Sequence, residues 1–124
     1  MKRDMDAVRD LLLKVEEQGH GYGTVTFRSG SDVDSSEWKE TYHAKILIDA
    51  GYVEGEVSKD AGGMNCYVTN LTWIGHEFLD AAREPKRWAR AKELIVDKIG
   101  GASISVWTKY LLGQIEENLH SVLS

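Results

Sequence analysis

The stretch Tyr42-His43-Ala44-Lys45-Ile46-Leu47-Ile48-Asp49-Ala50-Gly51 decides the fold, together with Tyr52-Val53-Glu54-Gly55-Glu56-Val57, a Gly62-Gly63 tip and Cys66-Tyr67-Val68-Thr69-Asn70-Leu71. Gly51 stands where a helix end needs a left-handed residue, so the helix before it stops there. The two following runs are β-prone and flank a Gly-Gly tip. Residues 52 to 57 and 66 to 71 are therefore expected to pair as an antiparallel hairpin with a tip over 58 to 65. Thr72 then caps a helix through residue 83, in which Ile74, Phe78, Leu79 and Ala82 are expected to face the core.

Upstream, Asp34-Ser35-Ser36-Glu37 reads as a capping box with Asp34 as the cap, opening a helix over residues 35 to 50. At 100° per residue, Ala44, Ile46, Leu47, Ile48 and Ala50 spread over a buried arc. Trp38, Thr41, Tyr42, Lys45 and Asp49 form the opposite strip, available to a partner. Further back, Asp4 caps a helix over 5 to 18 with Met5, Val8, Leu11, Leu12 and Val15 at helical spacing. The glycines of 19 to 23 make a turn rather than a phosphate loop, because no strand precedes them and no Lys-Ser/Thr follows. Residues 24 to 27 alternate as a short strand.

Downstream, Glu84-Pro85 restarts the chain as a helix over 85 to 99, with Trp88, Ala91, Ile95 and Ile99 as its apolar stripe. Arg83, Arg87 and Arg90 line up opposite that stripe if the helix is continuous. Gly100-Gly101 breaks it. A last helix over 103 to 123 aligns Ile104, Trp107, Leu111, Ile115, Leu119 and Val122, a stripe that must be covered by the chain's own core or by a second copy. No internal repeat interrupts this order. The fold class is α+β: a winged helix-turn-helix-like domain over residues 1 to 83, then a two-helix extension over 84 to 124. A homodimer through the terminal stripe is expected.

The chain has 124 residues, enough for one domain with an appended element and a core that needs no staples. No apolar run approaches the roughly 20 residues of a membrane span, and no signal peptide is visible at the start. Cys66 is the only cysteine, so no internal disulfide forms; a packed side chain in a cytoplasmic protein is expected. The net charge of −5 is uneven. Residues 1 to 82 hold 8 basic and 15 acidic side chains, whereas residues 83 to 98 hold 6 basic and 3 acidic ones. Any electropositive face therefore lies in that later segment.

Chemistry-bearing residues are sparse. His20, His43, His76 and His120 lie at no close ligand spacing, so no metal or cofactor is expected, and His43 and His76 read as packing or capping residues. Ser35, Ser36 and Cys66 have no partner at a telling spacing and the carboxylates follow helix surfaces, so the chain is not expected to be an enzyme.

The opening Met-Lys-Arg-Asp-Met-Asp, the Tyr42-His43 to Ala50-Gly51 helix end and the Leu71-Thr72-Trp73-Ile74-Gly75-His76-Glu77-Phe78-Leu79-Asp80-Ala81 run together resemble a domain-of-unknown-function family of small proteins in bacteria and their phages. The resemblance spans almost the whole chain, is most specific in the 71 to 81 run, and implies a winged-helix-like fold. More loosely, residues 43 to 53 look like the recognition helix of winged-helix repressors of the arsenic- and antibiotic-response types. The chain departs from them in the short Gly/Ser/Asp-rich span between Phe27 and Asp34, and at Glu40, where those repressors carry an apolar residue.

Two functions follow as expectations. The first is nucleic-acid binding or transcription regulation on duplex DNA, through Arg83, Lys86, Arg87 and Arg90, with Lys59 on the wing and Lys45 and Thr41 on the helix strip. The alternative is a protein-interaction module without DNA binding, anchored by Trp38 and Tyr42.

Overall fold

The computed structural model describes residues 2–19 and 23–123. The expected turn over 19 to 23 therefore lies partly outside the described residues, as does His20. The chain is α+β: α1 (Met5–Gly19), β1 (Val25–Ser29), α2 (Ser36–Asp49), β2 (Val53–Asp60), β3 (Gly63–Leu71), α3 (Trp73–Ala82), α4 (Pro85–Lys92), a π-helical segment (Glu93–Lys98) and α5 (Ile104–Leu123). Two compact units divide it, Met1–His76 and Glu77–Ser124. The division falls inside α3.

In the first unit, the three strands form one antiparallel sheet in the order β1-β3-β2. The hairpin expectation holds: Val53 pairs with Leu71 and Val57 with Cys66. The tip is shorter than expected, because pairing continues to Asp60 and Gly63 and leaves only residues 61 and 62 as the turn. Strand pleat sends Val25, Phe27, Met64, Cys66 and Val68 to one face, where all are buried. Helices α1 and α2 pack against the strands on that face and against each other. The apolar positions expected on α1, Met5 to Val15, are all in this core.

Two joints tie the unit together, and both use the residues that carry the family resemblance. At the first, Asp4 caps α1 through Oδ1, which accepts from the N–H groups of Asp6 (2.9 Å) and Ala7 (3.3 Å). The Asp4 backbone N–H itself donates to Nε2 of the fully buried His43, at 2.8 Å. Nδ1 of His43 lies 2.7 Å from the Lys39 carbonyl, so the ring is the neutral Nδ1–H form with both nitrogens engaged. Lys39 closes the joint on Asp4 at 2.7 Å. That ammonium, with the two backbone donors, holds the Asp4 carboxyl below its ordinary value.

At the second joint, the Thr72 hydroxyl accepts from Gly75 N–H and donates to the Gly51 carbonyl at 2.6 Å. Thr72 is thus the expected cap of α3. Gly51 has φ +82°, as its place after α2 requires. A side chain at Gly75 would run into the Tyr52 carbonyl, so only glycine lets α3 start this close to the strand.

Several sequence expectations need correction. The cap of α2 is Ser35, whose hydroxyl accepts from Trp38 N–H at 3.0 Å, while Asp34 stays outside the helix. Between β1 and α2, residues 30 to 35 form a bend and turn with no helix, so no helix-turn-helix pair exists there. Thr41 is buried, not on the exposed strip, because α1, β1, β2 and β3 all pack on α2 and widen its buried arc. Ala50 is exposed at the helix end, and Ile46 and Ile48 are only half-buried. Ile74 lies in the first turn of α3 and is exposed, as is His76.

In the second unit, Phe78 of α3 meets Trp88 of α4 edge-to-face, and Trp88 stacks on Trp107 of α5 with ring centroids 4.8 Å apart. Trp107 and Leu111, expected at an interface between copies, are buried in the chain's own core, whereas Leu119 and Val122 remain exposed. Trp88, Ala91 and Ile95 face inward as expected; Ile99 does not. The π segment adds residues per turn and rotates Ile99 off the stripe. No helix among the described residues is long and apolar enough to cross a membrane.

Candidate functional site

The β2–β3 register decides where the hairpin meets α2. Lys59 pairs with Met64, whose side chain is buried on the helix-bearing face, so pleat directs Lys59 to that same face. One helical strip stands across from it: Trp38, Tyr42 and Lys45 recur at steps of four and three. Between them lies an open cleft of about 510 Å³. Trp38, Tyr42 and Lys45 form one wall, Lys59, Asp60 and Ala61 the other, Gly63 and Met64 line it, and Ser31 touches one end. Trp38 and Tyr42 are half-buried and line the cleft without being absorbed into the core.

Electrostatics separate the lysines. Lys45 Nζ lies 2.7 Å from Asp49, which raises its pKa, and Lys39 is taken by Asp4. Both lysines of α2 are thus matched by carboxylates. Lys59 forms no ion pair among the described residues. Neighbouring Asp60 accepts the Gly62 N–H through Oδ1 at 2.7 Å, which serves the turn.

Beneath the cleft, Cys66 is fully buried and donates weakly to the Thr41 carbonyl at 3.5 Å. Burial pushes its thiol up to about 11, the expected behaviour of a packed cysteine rather than a nucleophile.

The structure thus brings four sequence-predicted residues, Trp38, Tyr42, Lys45 and Lys59, into one place and removes Thr41 from it. Ser31, Asp60, Ala61, Gly63 and Met64 also line the cleft and carry no signal of their own in the sequence. The period-two pairing of Lys59 with Met64 was the signal that could have found Met64, once the hairpin register was known.

The basic cluster belongs to the second unit. Arg83 sits between α3 and α4 rather than on a continuous helix, and bonds Asp80 at 3.0 Å. Arg87 is half-buried and donates through Nη1 to the Ala81 carbonyl at 3.2 Å. Glu84 caps α4 by accepting from Lys86 and Arg87 N–H, which together hold its carboxyl below the ordinary value. Lys86 and Arg90 are exposed on α4. Two carboxylates, Asp80 and Glu84, therefore sit within the cluster and offset its charge. Among the described residues no group of three or more His, Cys, Asp or Glu could hold a metal ion.

Over residues 2–102 the sequence matches the family described as Hypothetical protein (DUF2513). The chain belongs to the DUF2513 family. A Haemophilus influenzae relative, described as an uncharacterized protein, is 35% identical over 98 residues, spanning 79% of this chain and 81% of its own. No solved structure matches. The DUF2513 span takes in both joints, the whole cleft and α4, and ends just before α5.

Proposed function

We infer that this DUF2513 protein is a non-enzymatic binding protein in which a winged-helix-like unit docks a segment of another protein between α2 and the β2–β3 hairpin. One observation carries the reading. The exposed strip of α2 offers two aromatic rings to an apolar cleft, while both of its lysines are matched by carboxylates. Aromatic anchors at the rim of a preformed cleft are where protein contacts concentrate their energy. Base reading in a major groove favours Arg, Lys, Asn and Gln, and of these the strip offers one, Lys45, which is paired with Asp49. A solution test is partner capture: Trp38→Ala and Tyr42→Ala should lose the partner, with little dependence on salt. Retention by both variants overturns the reading.

A second reading, a DNA-binding regulator of bacterial or phage origin, draws on the arrangement of α2 followed by an antiparallel hairpin, as in winged-helix domains, and on exposed Lys86 and Arg90. It requires duplex binding with a steep salt slope that is lost when Arg83, Lys86, Arg87 and Arg90 are neutralised. A cytoplasmic location and a homodimer suit either reading. For the dimer, the exposed remainder of the α5 stripe, Leu119 and Val122, is the surface proposed.

A further inference from the structure

We propose that the free edge of β2 takes up an extended basic segment of another protein as a fourth, antiparallel strand, with Glu54 and Glu56 reading its charge. The site is separate from the cleft and does not depend on the docking reading above. Its first support is the backbone. β2 is an end strand of the sheet, with β3 on one side and α2 on one face. A side chain at Gly55 would run into the Tyr67 carbonyl, so that carbonyl points at β2, and Tyr67 exchanges ladder bonds with its partner Glu56. The Glu54 carbonyl is likewise turned to β3, where it accepts from the Thr69 hydroxyl at 3.3 Å. By strand alternation, Gly55, Val57 and Lys59 direct their N–H and C=O groups away from the sheet. Such an edge is a template for one more strand.

The second support is the chemistry beside that edge. Glu54, Glu56 and Ser58 are exposed on the solvent face of β2. Among the described residues Glu54 and Glu56 form no ion pair, and their cross-strand neighbours Asn70 and Tyr67 carry no charge. These carboxylates also decide between occupants. Antiparallel pairing of two β2 strands about Gly55, Glu56, Val57 or Ser58 sets Glu54 or Glu56 opposite a carboxylate of the other copy, because Glu54, Glu56 and Asp60 share one face. Like charges directly opposite are destabilising. A second copy is thereby disfavoured, and a strand with Lys or Arg at alternate positions meets a carboxylate at each of them.

The test titrates the full chain with capped heptapeptides in which Thr alternates with Lys, Gln or Glu, followed by amide resonances and hydrogen exchange. Two cross-strand pairs of opposite charge should make the Lys peptide bind about twofold to thirtyfold more tightly than the Gln peptide, with the Glu peptide weakest. New protection should appear at the amides of Gly55, Val57 and Lys59. N-methylating the Thr amides of the Lys peptide, which face β2, should abolish it; N-methylating its Lys amides, which face away, should not. Replacing both carboxylates, Glu54→Lys with Glu56→Lys, should reverse the charge order, and Trp38→Ala should leave it unchanged. Both carboxylates are exposed, and unchanged resonances for Val25, Phe27 and Val68 would verify that the double variant folds. Equal protection by the three peptides overturns the choice of a basic strand. No protection at those three amides, or equal loss with both methylated peptides, overturns the added strand itself. Neither result bears on the cleft.

Discussion

His43 offers the sharpest test of how the first unit is held together. Its ring is fully buried and accepts the Asp4 N–H at 2.8 Å while donating to the Lys39 carbonyl at 2.7 Å. Replacing it by alanine removes an imidazole from a packed site and orphans the Asp4 donor at the start of α1. The unsatisfied donor costs about 1–3 kcal/mol, and the lost packing adds to it. A total near 3 kcal/mol is expected for His43→Ala, a large share of the ~5–15 kcal/mol that stabilises a typical domain. Gln at this position can place its side-chain oxygen where Nε2 lies, so His43→Gln should lose only about 1 kcal/mol. Urea unfolding by far-UV circular dichroism, with exchange of the Asp4 amide measured in parallel, reads both. The reasoning fails if alanine costs less than about 1 kcal/mol or if glutamine is no better than alanine.

Other consequences follow from particular contacts. Thr41 is buried with its hydroxyl unpaired among the described residues, so Thr41→Val should be neutral or raise stability by up to about 1 kcal/mol in the same urea assay. The Asp4 carboxyl is depressed by Lys39 and two backbone donors, so its contribution is present above the ordinary carboxylate pKa and is lost as pH falls through the depressed one. Asp4→Asn should therefore lower the melting temperature at pH 7 and leave it almost unchanged at pH 2. Leu119→Glu should convert a dimer to a monomer in light scattering at micromolar concentration without altering the melting temperature of the monomer, since Leu119 is exposed. A wild-type protein that is already monomeric there removes the dimer.

Much of this architecture was readable because local rules and tertiary packing agree. Gly51, Thr72 and the β-prone runs announce a helix stop, a hairpin and a capped helix, and each is found. The failures lie where neighbours decide. The wheel of α2 put Thr41 outside because a wheel assumes one buried face, and this helix is covered by α1 and all three strands. The π segment could not be read from spacing, so Ile99 was assigned to a stripe it does not join. Arg83, Arg87 and Arg90 read as one positive line, but Arg83 pairs with Asp80 and Arg87 donates to the Ala81 carbonyl, both in the last turn of α3, while Glu84 at the start of α4 sets a further carboxylate beside them.

The candidate site shows the same division. In the sequence its aromatic and basic residues point to rival functions. Only the strand register, with Lys59 opposite Met64, sets them around one cleft. The strongest sequence signals, Asp4, His43, Thr72 and Gly75, turn out to be joints of the scaffold. A motif can be specific because the backbone needs it, whatever the protein binds.

The central claim is that partners engage the cleft between α2 and the hairpin. Peptides selected from a random display library on the immobilised chain provide a ligand, and amide exchange of the complex against the free chain locates it. The account predicts new protection over residues 36–45 and 59–64, abolished by Trp38→Ala. Protection confined to residues 85–92, or protection unaffected by Trp38→Ala, would contradict it.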